Sequence, residues 1–134
     1  TYTFEVGASS SLDVTLAWTD FPGYETASKA LVNDLDLLVL APDGRRIVGN
    51  QGLYTGGQCL RGGQWDACNN VEGVRLSNAP AGTYRVVVRG VDVSQGRRQP
   101  FALVVAGTGV TFADPQAPSQ SQPNTVFLPF ILRQ

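Results

Sequence analysis

The feature that most constrains the fold is a series of short apolar runs separated by turn residues at a spacing of roughly ten residues. Within the runs Leu12–Trp18 and Thr83–Val91, apolar residues recur at every second position. A period of two is typical of strands that bury one face, whereas a helix needs apolar residues three and four positions apart. The pattern therefore predicts an all-β fold, either an antiparallel β-sandwich or a jelly-roll-like barrel.

Length and composition predict one folded domain followed by a spacer and a tail. The 134 residues fit one domain, and Ala113–Asn124 has the Pro, Gln and Ser content of a linker. We therefore assign residues 1–112 to a single β-sandwich domain, 113–124 to a spacer and 125–134 to an apolar tail. The tail is shorter than the roughly 20 residues that span a bilayer. It is interpreted as a last strand docking on the sandwich, a partner-docking segment or a sorting signal, and the sequence leaves these alternatives open.

The chain lacks two residue types, His and Met, and each absence limits how the sequence can be interpreted. The chain has no His, which excludes a Ser-His-Asp triad and a His-ligated zinc site within it. It has no Met, as expected of a domain excised from a longer protein. Ten Lys and Arg against eleven Asp and Glu give a net charge of −1, without the basic excess that favours nucleic acid or anionic membranes. We expect a chain that is not itself an enzyme, binds no nucleic acid and has no transmembrane segment.

The two cysteines, Cys59 and Cys68, flank a Gly-rich loop. Two thiolates without a His cannot close a structural zinc site, and a redox pair is typically spaced C-x-x-C. The spacing favours a local disulfide, which implies an oxidising compartment, and the alternative is two reduced surface thiols.

Acidic and amide side chains are concentrated near predicted strand ends, in WTDFPG, VNDLDL and NNVEGV. The period of two places Asp34 and Asp36 on one face of the strand that contains Leu35–Leu40, where they meet solvent, a cation or an arginine. Ca²⁺, which takes about six to eight oxygen ligands, would relieve the repulsion at a shared rim. The alternatives are separate capping, turn and salt-bridge roles, or a glycosidase acid–base pair. The candidate metal ligands are Asp20, Asp34, Asp36, Asn70 and Glu72, and the candidate arginine neighbours are Arg45, Arg46 and Arg75.

Aromatic residues in loops suggest a different function. Tyr54 and Trp65 lie in the Gly-rich loop, where they could stack on sugar rings or pack the loop against the sandwich. The rival hypothesis is therefore an independent carbohydrate- or surface-binding module.

Several segments taken together resemble a known family. LDVTLAWTDFPG, ALVNDLDLLVLAPDGRRIVGN, NNVEGVRLSNAPAGTYRVVVRGVDV and QPFALVVAG occur in this order between Leu12 and Gly107. They resemble the C-terminal β-barrel domain of secreted subtilisin-like serine proteases, above all the jelly-roll domain of the oxidatively stable alkaline subtilases. They are more distantly similar to the P domain of kexin-like proprotein convertases. The Cys59–Cys68 loop, the spacer and the FLPF tail depart from that pattern.

The resemblance implies a secreted, non-catalytic module that packs against a subtilisin-like catalytic domain of the same polypeptide. Such a module stabilises the catalytic domain and assists substrate or calcium binding. By position, Asp20, Asp34, Asp36, Asn70 and Glu72 fall in the acidic motifs of that family.

Overall fold

The computed structural model describes residues 1–27, 29–52, 59–62, 64–96 and 98–112, together with the backbone of Thr125–Arg133. The described residues form β-strands and no helix, which confirms the all-β prediction. Accordingly, none of them belongs to a helix of the length and apolarity that crossing a membrane requires. In chain order the strands are β1 (Tyr2–Val6), β2 (Ser10–Trp18), β3 (Asn33–Leu40), β4 (Arg46–Val48), β5 (Leu60–Arg61), β6 (Trp65–Asp66), β7 (Val71–Ala79), β8 (Gly82–Val93), β9 (Arg98–Gly107), β10 (Val110–Phe112) and β11 (Thr125–Arg133).

Two antiparallel sheets make a sandwich. The first sheet has the order β10-β1-β8-β3-β4, the second has the order β11-β9-β2-β7, and β5 and β6 form a separate two-stranded hairpin. Non-sequential neighbours such as β1 and β8 make most pairings long-range, so each sheet forms only when distant segments meet.

The core lies between the sheets and follows the period of two. In β3, Leu35, Leu37 and Val39 are fully buried on the core face. In β2 every second residue from Leu12 to Trp18 is buried, and each fully buried Leu stabilises the fold by about 2 kcal/mol. Aromatic packing adds to this, since the rings of Phe4 and Tyr84 stack at 5.4 Å.

The strand directions give the sandwich two different ends. At one end β2 and β8 finish while β3, β7 and β9 begin, and we call it the loop end because it carries the long β2–β3 loop. At the other, the turn end, short connections join β1 to β2, β7 to β8 and β9 to β10.

The C-terminal tail adds an edge strand. β11 pairs with β9 along its whole length, from Thr125 opposite Ala106 to Arg133 opposite Arg98. Pro129 falls within β11, where it is tolerated because an edge strand has no neighbour on its outer side. The predicted spacer 113–124 lies outside the described residues.

Candidate functional site

A disulfide-closed hairpin is the most irregular feature of the chain. The predicted bond between Cys59 and Cys68 is present, with their Cα atoms 5.2 Å apart. The Ala67 N–H donates to the Cys59 carbonyl at 2.8 Å, and β5 pairs with β6 through Arg61 and Trp65. The bond therefore fixes a short loop whose two strands carry Arg61 and Asp66.

Arg61 is the centre of an ion-pair cluster on β3. Its Nη1 lies 2.7 Å from Asp34 Oδ2 and its Nη2 lies 2.6 Å from Asp36 Oδ2. The Lys29 ammonium also donates to Asp34 Oδ2, at 3.1 Å. Since Asp34 and Asp36 point away from the core face of β3, Arg61 attaches the hairpin to the outer face of the first sheet.

The electrostatics of this cluster reflect burial. Desolvation raises the pKa of Asp36 above its ordinary value, and hydrogen bonding and charge attraction from Arg61 oppose the rise. Burial acts on Arg61 in the opposite sense, but the two carboxylates outweigh it and raise the pKa of the guanidinium. Arg61 therefore compensates the buried Asp34 and Asp36, with Lys29 beside Asp34 and Arg89 3.9 Å from Asp36 Oδ2.

Glu72 lies beside this cluster, between the two sheets. Its Oε2 accepts the Leu37 N–H at 2.7 Å, just beyond the point where β4 stops pairing with β3. Its Oε1 is buried without a hydrogen-bond partner. Burial, then the charges of Asp36, Asp66 and Asp34, raise the pKa of Glu72 to about 8, against the hydrogen bond from Leu37. A pKa near 8 favours the protonated, neutral form of Glu72 at pH 7.

Gly49 makes this arrangement possible. A Cβ added at residue 49 would meet Glu72 Oε2 and would lie 2.7 Å from Glu72 Cβ. The Gly49 N–H still donates to the Leu37 carbonyl at 2.8 Å, so residue 49 lies directly beside the Leu37 amide, and only glycine leaves room for the Glu72 carboxyl group to reach it.

A second polar group, Asn50, ties the hairpin to the second sheet. Its Nδ2 donates to Asp66 Oδ2 at 2.6 Å and to the Val71 carbonyl at 2.9 Å, while its Oδ1 accepts the Gly73 N–H. Asp66 is buried and also accepts the backbone N–H groups of Cys68 and Asn69. The hairpin is thus held on two sides, by Arg61 and by Asp66.

The remaining predicted ligands have other tasks. The Asp20 carboxylate accepts the backbone N–H groups of Val32 and Asn33 at 2.7 and 2.8 Å, which closes the neck of the β2–β3 loop. Asn70 donates to the Trp18 carbonyl at 2.9 Å. The structure therefore unites Asp34, Asp36 and Glu72 near one another and gives Asp20 and Asn70 separate backbone partners.

Most oxygens of the candidate calcium ligands already have partners within the chain. Arg61 binds Asp34 Oδ2 and both Asp36 oxygens, and Asp20 accepts backbone amides, whereas Asp34 Oδ1 and Glu72 Oε1 are buried without a hydrogen-bond partner. Among the side chains that the structure describes, no group of three or more acidic or cysteine residues is placed to hold a metal ion. Calcium binding stays a prediction, and a metal would have to compete with Arg61.

Of the two aromatic candidates, the structure describes Trp65 but not Tyr54. The Arg89 guanidinium lies 4.9 Å from the centre of the Trp65 ring, so one ring face is taken by a cation from β8. Tyr54 lies outside the described residues. The placement of Trp65 agrees with the alternative that its ring packs the loop onto the sandwich.

Sequence reasoning missed two essential residues, Arg61 and Asn50. Arg61 is separated from Asp36 by 25 residues, and no local pattern pairs them. Asn50 carried one signal, because it follows a glycine at a strand end, and it adopts a left-handed φ of 56°. Glu72 was identified, and its place on the core-facing side of β7 with Val74 indicates burial rather than a solvent-exposed rim.

Comparisons with known proteins identify sequences that are similar to this chain. The profile of the bacterial pre-peptidase C-terminal domain matches residues 1–90. The chain is 32% identical over 119 residues to the serine protease/ABC transporter B family protein tagA of Dictyostelium discoideum, covering 82% of this chain and 6% of that protein. It is 39% identical over 102 residues to the family member tagB from the same organism, covering 73% of this chain and 5% of that protein. The chain thus spans only a small part of the curated relatives that it matches, and it belongs to the bacterial pre-peptidase C-terminal domain family.

Proposed function

We propose that this chain is the non-catalytic C-terminal domain of a secreted subtilisin-like serine endopeptidase and that it stabilises the catalytic domain. The observation that carries the proposal is the use of the acidic groups. Asp34 and Asp36 bind Arg61, and Asp20 binds backbone amides. The carboxylates that could have served as ligands or as acid–base groups therefore hold the β-sandwich together.

The relatives support the protease context. Two proteins named as serine protease/ABC transporter B family proteins match this chain at 32% and 39% identity, and the family description is that of a pre-peptidase C-terminal domain. The Cys59–Cys68 disulfide supports a secreted location, because disulfides persist in oxidising compartments. The assignment of the catalytic domain to the subtilisin-like type rests on the resemblance in sequence.

The first test is the parent gene. A subtilisin-type set of Asp, His and Ser blocks upstream of Thr1 is expected. A glycanase or an adhesin repeat at that position would contradict the protease assignment and favour the independent binding module.

The second test compares the full-length protease with a variant that lacks this domain. We expect the half-life of peptidase activity at elevated temperature to fall, while kcat/KM on a short peptide stays unchanged, since the domain contributes no catalytic group. Arg61→Gln in the full-length protein should shorten the half-life as well. An inactivation rate that is the same with and without the domain would contradict the stabilising role.

A further inference from the structure

The exposed large hydrophobic side chains are concentrated at the loop end of the sandwich. Among the described side chains they are Phe21, Tyr24, Val71 and Val91, which are 40, 87, 48 and 36% exposed. Phe21 and Tyr24 belong to the β2–β3 loop, Val71 begins β7, and Val91 lies near the end of β8. The described part of the turn end carries none. Single exposed apolar residues are ordinary, whereas a concentration at one end marks an interaction surface.

A shallow cleft continues this surface onto the outer face of the second sheet. It has a volume of about 340 Å³ and is lined by Ala17, Trp18, Thr19, Pro100, Phe101 and Ala102. Ala17 pairs with Val71 on one side and with Ala102 on the other. The outer faces of antiparallel sheets are usually polar where they meet water. A row of three uncharged neighbours, Val71, Ala17 and Ala102, is therefore unusual on a face that meets solvent.

The apolar surface is held in place before any partner binds. Asp20 closes the neck of the loop through the N–H groups of Val32 and Asn33. Phe21 lies against the β8–β9 connection, where a Cβ added at Gly96 would approach its Cζ to 2.8 Å. Since Asp20 and Phe21 are already held by these contacts, binding at them loses little conformational entropy. Glu25, Asp92 and Arg98 are exposed at the same end of the sandwich, so polar and apolar side chains occur together there, as in protein interfaces.

We propose that the loop end is the surface that docks on the peptidase domain of the same polypeptide, an inference that rests on the proposed function. The direction of β1 supports this occupant. β1 begins at Tyr2 opposite Val86 and runs toward the turn end, where Val6 lies opposite Gly82. Whatever precedes Thr1 in the parent protein therefore enters the first sheet opposite Val86, from the side of the β1–β8 pairing that faces the loop end.

Because this domain and the peptidase domain belong to one polypeptide, a small apolar contact surface is enough to keep them docked. A tethered domain faces its partner at an effective concentration on the order of millimolar, so a small apolar contact holds the docked state without high intrinsic affinity. The uncharged centre of the patch calls for an apolar, uncharged region on the peptidase domain.

The test uses the full-length protease treated with a serine-protease inhibitor. The double substitution Tyr24→Ser and Val71→Thr replaces the two most exposed of the large hydrophobic side chains at the loop end, and Asn78→Ser at the turn end is the exposed control. We expect the double variant to have a larger radius of gyration in X-ray scattering. We also expect amide exchange in the β2–β3 loop to rise about tenfold, the change that follows loss of an interface residue worth about 1.4 kcal/mol. The control should match the wild type in both measurements.

A second variant keeps the proposal open to refutation if the double variant folds poorly. Val91→Thr changes one exposed side chain and should increase loop exchange in the same direction. Unchanged scattering and exchange in these variants would overturn the docking surface, as would a concentration-dependent mass showing that the patch joins two copies. If the gene encodes no peptidase upstream, the proposed function itself fails. If a peptidase is present and the variants behave as wild type, only the docking inference fails.

Discussion

The substitution Glu72→Gln should remove a large pH dependence from the stability of this domain. Glu72 is 1% exposed, its Oε2 accepts the Leu37 N–H at 2.7 Å, and its Oε1 has no partner. Glutamine has the same shape and retains an oxygen that can accept the Leu37 N–H, but it cannot ionise. The variant therefore separates the charge of Glu72 from its hydrogen bond.

The magnitude follows from the two pKa values of the carboxyl group. The pKa is about 8 in the folded chain against an ordinary 4.5, so the folded state binds the proton more tightly than the unfolded state. Stability from this group is fully present below about pH 4.5 and is lost as the pH rises to about 8. The wild-type free energy of unfolding should therefore fall by about 3–4 kcal/mol between pH 5 and pH 8 through Glu72 alone. Asp36, whose pKa is also raised, adds a fall in the same direction.

Urea unfolding followed by fluorescence of the buried Trp18 measures the effect at each pH. At pH 5 we expect Glu72→Gln to lie within about 1 kcal/mol of the wild type, because the Leu37 hydrogen bond is kept. At pH 8 the variant should be more stable than the wild type. Glu25→Gln is the control, since the same change at an exposed position should leave the pH profile unaltered. Parallel wild-type and Glu72→Gln profiles from pH 5 to 8 would refute the assignment of a buried, neutral Glu72.

Three further predictions concern the hairpin and calcium. Arg61→Gln should lower the free energy of unfolding in urea by about 2 kcal/mol, less than for a fully buried pair because the Arg61 side chain is 35% exposed. Arg75→Gln, at an exposed pair, is its control, and equal effects of the two would contradict the role of Arg61. Replacing Cys59 and Cys68 by Ser should cost about 2–3 kcal/mol in the same assay, the loop-entropy value for a sequence separation of 9, and an unchanged midpoint would show that the disulfide adds nothing. EDTA tests the calcium prediction: calcium bound beside the unpartnered Asp34 Oδ1 and Glu72 Oε1 should make the Tm fall on chelation, and an unchanged Tm would count against a structural metal site.

The fold was predictable because it rests on local alternation. The period of two in LDLLVL correctly separates Leu35, Leu37 and Val39 from Asp34 and Asp36, since successive side chains in a strand must point to opposite faces. The same pattern placed Trp18 on the buried face of β2, where it is 4% exposed. The alternation of side chains depends only on residues that are neighbours in the sequence, so it can be predicted without knowledge of the tertiary structure.

The partners of the acidic groups were not predictable on the same grounds. Arg45, Arg46 and Arg75 were the neighbouring arginines in sequence, yet Arg61 of the hairpin makes the pairs. That pairing depends on how a loop closed by a disulfide folds back over β3, which is a property of the tertiary structure. Charge and spacing show that Asp34 and Asp36 need a cation, but they do not identify which one.

Stability and docking can be tested with different variants of this domain. Arg61 and the disulfide act on the outer face of the first sheet, whereas the exposed side chains of Tyr24 and Val71 lie at the loop end. The described link between the hairpin and Val71 runs through the backbone, because Asn50 donates to Asp66 Oδ2 and to the Val71 carbonyl. Since Val71→Thr keeps that carbonyl, the two sets of variants should affect different measurements. Arg61→Gln should lower the Tm of the domain while the full-length protein stays compact. Tyr24→Ser with Val71→Thr should extend the full-length protein while the Tm of the domain stays within about 2 °C of the wild type, because both side chains are exposed. If Arg61→Gln also extended the protein, the hairpin itself would belong to the docking surface.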